Sequence, residues 1–288
     1  MRSLFRVYNK NYWVSIFGPI LTFLAPLAVT ILMCLVYTLS TGDGKITLSI
    51  VVIPCLIFLS SYILMVLLLP QAIFEVKASI FVKQLKASSI KMWQVLFVAI
   101  IYYAITSLIA VFISFGSARL LGVIVPDIEQ EVSYSFSQIN WPTFIYVIAV
   151  NILFGCSIGM LLGSVCTKSS VIALIGVLIV FLSCALAGFI APIILSPTQH
   201  ESIWYFSYID LVRYPVTSVY EAWFSKAGPY NTNGSTLFDF STTYSAMVAD
   251  IVPYPFDVFK SYDKILNLVM PYVTICLCGG FAVRFFRV

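Results

Sequence analysis

Apolar positions along this chain fall into long unbroken runs, and short polar breaks separate them. Six runs approach or exceed the ~20 residues that a helix needs to cross hydrocarbon: 14–39, 46–69, 94–115, 141–165, 171–195 and 265–283. Pro19 and Pro26 are expected to kink the first run, and Pro70 to end the second. Two amphipathic stretches stand out against the spans. At 1–13, Arg2, Arg6 and Lys10 recur every four residues among Leu4, Phe5, Tyr8 and Tyr12, the pattern of a helix lying in the membrane interface. At 70–93, a helix would set Phe74, Ala78, Phe81 and Leu85 on one side, and Glu75, Ser79, Lys83 and Lys86 on the other. A connection between two spans needs only a few turn residues. A helix there is built to touch a partner.

Composition places the chain in one class. Of 288 residues, 61% are hydrophobic and only 10% charged, with mean hydropathy +1.01, which implies an integral membrane protein. The expected fold is all-α, a single transmembrane domain over 1–288 with six transmembrane helices. It comprises an interfacial helix at 1–13, a connecting region at 71–89 and an external or re-entrant segment at 196–264. The seven cysteines lie in or at the ends of apolar runs, as buried free thiols do.

Charge then orients the chain. With six spans, ten of the sixteen Lys and Arg residues fall on the side of the termini, while eleven of the twelve acids fall opposite, all but Glu75. The excess of cations in short loops marks the terminal side as cytoplasmic, with the chain multi-pass in the plasma membrane.

Within the spans, Gly155, Gly159 and Gly163 repeat every four residues, so they share a helix face that allows close backbone approach. The face suits packing inside one subunit, a dimer seam or a translocation path. Asn151, one turn earlier, favours a site facing protein or water. The segment after the fifth run is long enough for two short helices that enter the membrane and turn back. There Asp210 and Arg213, three apart, are placed to pair on a helix face, just before Tyr214-Pro215. An interfacial aromatic belt with a routine ion pair, or a lid or exit gate, fits that segment. The acids at 239, 250, 257 and 263 show no calcium-loop spacing. Catalysis lacks its residues: the one histidine is His200, and no HExxH, GxSxG or phosphate-binding GxxxxGK[ST] is present. Nearly uncharged spans argue against a proton- or sodium-coupled carrier.

In order and spacing, these features resemble the permease subunits of the ABC type-2 export family. The likeness rests on the basic N-terminal helix, the six spans with both ends on one side, and Glu75-Val76-Lys77 between spans two and three. It includes Gly188-Phe-Ile-Ala-Pro192 near the end of span five, and Ile209–Pro215 before span six. Two features depart from the family pattern: Ala78-Ser79 and Ser88-Ser89 stand where a glycine and a following proline are usual, and the external segment is longer. The resemblance implies an exporter subunit, not an enzyme, that forms a path with a second permease chain, identical or sister. It implies docking to a separate ABC nucleotide-binding subunit through Phe74, Glu75, Lys77, Phe81, Lys83 and Leu85. ATP and magnesium would sit in that partner, with no cofactor in this chain. Gly188, Pro192, Asp210, Arg213 and Tyr214 would form an external gate. Apolar, aromatic spans fit a lipid-like, peptide or amphipathic cargo; membrane lipid is an expected partner and nucleic acid is not. The competing readings are a non-transporting membrane partner or immunity protein, a secondary carrier, and, least supported, an intramembrane enzyme.

Overall fold

The computed structural model describes residues 2–40, 45–78, 92–124, 129, 132–133, 136–137, 139–186, 208–224 and 261–285. Among the described residues the chain is helical apart from short turns, with no strand. In order the helices are α1 (Arg2–Val14), α2 (Phe17–Pro19), a π-helical turn (Ile20–Leu24), α3 (Ala25–Ser40), α4 (Lys45–Ala78) and α5 (Met92–Ile124). They continue with α6 (Trp141–Val165), α7 (Ser169–Leu186), α8 (Arg213–Phe224) and α9 (Ser261–Phe285). Among the described residues five helices are long and apolar enough to cross a membrane, or six if the bent pair at 4–14 and 17–32 is one span. The architecture fits an α-helical, multi-pass membrane protein.

The amphipathic pattern of 1–13 becomes a helix set across the bundle. The chain bends by 87° between 4–14 and 17–32. Leu4, Tyr8 and Tyr12 are buried, and the Tyr8 hydroxyl donates to the Val95 carbonyl of α5 at 3.3 Å. Arg6 and Lys10 stay exposed. The bend leads into the π turn between Pro19 and Pro26, where the intrahelical ladder slips by one residue.

Pro70 does not end the second span: α4 runs through Pro54 and Pro70 to Ala78. A proline removes the N–H that would reach the carbonyl four residues earlier, here that of Val66. Neighbouring helices make such a break tolerable in a membrane. Gly176 of α7 lies against that carbonyl, so close that a methyl group on it would stand 3.1 Å from the Val66 oxygen. The first two turns of the expected connecting region are therefore the end of α4. Segment 79–91 lies outside the described residues.

α4 is the axis of the bundle. It packs on α3, α5, α6, α7 and α8, and 83% of its span is buried, against 17% for Ser169–Leu186. α6 is its main neighbour and also carries α8 and α9. The two run parallel: Gly155 meets Met65, Gly159 meets Met65 and Leu69, and Gly163 meets Pro70 and Ile73. The fourth run begins and ends where the sequence placed it, at Trp141 and Val165.

Candidate functional site

The glycine face of α6 is spent on α4. A methyl on Gly159 would collide with the Met65 carbonyl, and one on Gly163 would come within 2.9 Å of the Pro70 carbonyl. Of the three uses open to this stripe, the structure shows packing within the subunit. Where the two helices end, the Lys77 ammonium donates to the Ser164 carbonyl at 2.8 Å. The last carbonyls of a helix lack intrahelical partners and carry partial negative charge, so a lysine there both caps and neutralises. Lys77 therefore ties α4 to α6. On the same turns Ala72, Ile73 and Val76 are buried, Phe74 is half-buried, and Glu75 and Ala78 are exposed. Of the expected docking residues, Phe74 and Glu75 face outward in part or whole. Phe81, Lys83 and Leu85 lie outside the described residues.

The other side of the bundle holds a polar group that the sequence places in an external segment. The backbone N–H of Asn140, at the start of α6, donates to the Ala222 carbonyl near the end of α8 at 3.2 Å. This bond fixes one end of α8 beside Trp141, and α8 packs on α4, α6 and α9 from there. At 1.5 Å per residue, Arg213 lies up to ~14 Å along the bundle from that end, against ~37 Å for all of α6. α8 is thus a half-length helix entering from one end. Its first residue, Arg213, is 2% exposed, and its guanidinium lies over the Tyr208 ring at 3.7 Å. The Tyr214 hydroxyl donates to the Tyr208 carbonyl at 3.0 Å.

Asp210 and Arg213 do not form the expected helix-face pair. Asp210 precedes the helix, and one oxygen of its carboxylate accepts the Val212 N–H at 3.0 Å. Its other oxygen is buried with no hydrogen-bond partner. A pairing rule for positions three apart holds only where both residues are helical; the turn takes the acid out of register. Instead, Asp210 lies within electrostatic reach of Tyr62 in mid-α4 and of Cys184 in α7. The Tyr62 hydroxyl meets Ser183 at 3.5 Å. Gly188 and Pro192, the rest of the expected gate, lie outside the described residues.

Asn151 opens on the same side of α6. It is 3% exposed, and among the described residues neither end of its amide has a hydrogen-bond partner. It lines a cavity of about 20 Å³ with Ser218 of α8 and Asn267, Tyr146 and Tyr272 of α6 and α9. That is room for about one water. Tyr146 and Tyr272 bond to each other through their hydroxyls. Tyr62, Ser183, Ser218 and Asn267 were not singled out from sequence. Asn267 could have been: like Asn151, it is a carboxamide inside an apolar run. Tyr62 reads there as one more interfacial or packing aromatic. Among the described residues no cluster of three or more His, Cys, Asp or Glu side chains could hold a metal ion. Comparison of the chain with protein-family models and with curated proteins returned no match.

Proposed function

We propose that this chain is the membrane-spanning subunit of an ATP-driven exporter, working as a dimer with separate nucleotide-binding subunits. The observation that carries the reading is the end of α4. The most buried of the candidate spans runs two turns past Pro70, offers Phe74 and Glu75 at its tip, and is tied to α6 by Lys77. A push on that tip reaches the bundle axis directly, and with it both faces of α6. A rigid element joining a docking surface to the path is what coupling needs. The family resemblance supports the same assignment and supplies the direction, outward, together with cytoplasmic termini. Cargo of lipid-like, peptide or amphipathic character suits the apolar surfaces.

The test is co-purification with the candidate ATPase, for the native chain and for Phe74→Asp and Phe81→Asp. The expected result is a stoichiometric ATPase whose cargo-stimulated turnover is lost in at least one variant while membrane insertion persists. Undiminished coupling in both variants would overturn the docking assignment. One observation favours a second reading, a secondary carrier: the buried Arg213 and Asn151 and the half-buried Asp210, with one oxygen buried, supply polar groups of the kind such a carrier uses. Uptake or efflux driven by an ion gradient in vesicles free of any ATPase would select it.

A further inference from the structure

A groove of about 690 Å³ runs along the outer surface between α5 and α6. It is lined by apolar side chains throughout, with Ala104 and Ala149 deepening it and Phe115, Trp141 and Phe144 at one end. From Ala104 to Phe115 the groove follows α5 for ~16 Å. That length and apolar lining suit an extended acyl chain.

The slot has a charged end. Leu108, Phe112, Phe115 and Arg119 succeed one another at helical spacing, so Arg119 continues the stripe one turn past the groove. The aromatic cluster fixes that end: Phe115 stacks with Trp141 at 5.9 Å and meets Phe136 at 5.4 Å. The Arg119 guanidinium lies 5.8 Å from the Phe136 ring and donates to Ser133 at 3.0 Å. It is exposed and, among the described residues, has no ion-pair partner. A guanidinium has five N–H donors, so the Ser133 bond leaves capacity for a phosphate oxygen. Trp141, exposed at the groove mouth, is the kind of aromatic that settles at headgroup level.

We propose that this groove is a binding site for one anionic membrane phospholipid. Its acyl chain lies between α5 and α6, and its phosphate sits at Arg119. The site is independent of the transport assignment and holds for any membrane role of the chain. Apolar shape alone accepts any lipid; the cation at the mouth makes the site prefer a net negative headgroup.

The full-length chain is reconstituted in phosphatidylcholine vesicles doped with chain-brominated phosphatidylglycerol or chain-brominated phosphatidylcholine. Quenching at Trp141 is taken as the part of the fluorescence lost in Trp141→Phe. One cation near the surface gives about a fivefold preference for the anionic lipid. Arg119→Gln is expected to bring the preference to one, Arg119→Lys to keep most of it, and Ala149→Phe to reduce quenching by both lipids. Circular dichroism confirms that each variant remains helical. Equal quenching by the two lipids in the native chain overturns the proposal, as does a preference unchanged in Arg119→Gln. Quenching that falls as protein density rises also overturns it, since a second copy would then cover the groove.

Discussion

α6 meets its neighbours in two different ways, and the contrast separates a close-packed apolar seam from one that holds polar groups. Toward α4 it presents glycines, and the backbones approach until a single methyl would clash. Toward α8 and α9 it presents Asn151, an unpartnered amide and a small cavity. Close backbone packing is what holds helices together in lipid, where no hydrophobic drive distinguishes a neighbour from an acyl chain. A buried amide without a partner costs stability one turn before those glycines on the same helix. The seam between α4 and α6 is packed backbone against backbone; the α6–α8–α9 contact encloses a small polar cavity and an unsatisfied amide.

The largest effect that would break this contrast is at Gly159. Gly159→Leu should destabilise the folded chain by ~3 kcal/mol or disperse the bundle, because the obstacle is backbone and cannot rotate away. Thermal unfolding in detergent checks this; an unchanged midpoint would mean that the seam is not rigid. At Asn151, two turns earlier, the sign reverses. Asn151→Leu should be neutral or stabilise by up to ~1.5 kcal/mol, since it removes two unsatisfied polar atoms without changing bulk much. A loss of stability there would show that a water in the cavity satisfies the amide. Lys77→Met should cost ~1 kcal/mol by leaving the end of α6 uncapped, and in the exporter reading it should lower coupling more than it lowers ATPase docking. The smallest effect sharpens the meaning of the glycines. Gly279 in α9 has nothing within 4 Å of a would-be methyl, so Gly279→Ala should stabilise by ~0.5 kcal/mol through helix propensity alone.

Periodicity and hydropathy placed the spans well where a run is bounded by polar residues, as at Trp141 and Val165. They fail at proline. Pro70 reads as a stop because a lone helix cannot spare the Val66 carbonyl's partner, but the close approach of Gly176 is a tertiary fact that no local pattern contains. Asp210 and Arg213 fail for a related reason: their spacing presumes a helix that starts only at Arg213. Asn151 was legible as a residue needing a protein or water-facing site, and Gly155, Gly159 and Gly163 as a packing face. Which helix would meet that face was not legible, because several apolar spans could serve. The burial of Arg213 was hidden by its setting in a polar, aromatic segment that reads as external.

The half-length α8 has a consequence for how the protein is made. A twelve-residue helix that begins with arginine and carries Glu221 is too short and too polar to be released sideways into lipid by the insertion machinery on its own. Its lodging consists of α4 and α6, which are synthesised earlier, and α9, which is synthesised after it. The expected order is that α8 settles beside α4 and α6 once they are in place, with α9 closing behind it. On that expectation, a truncation that removes α9 should leave α8 accessible to water-soluble labelling even though every residue of α8 is still present.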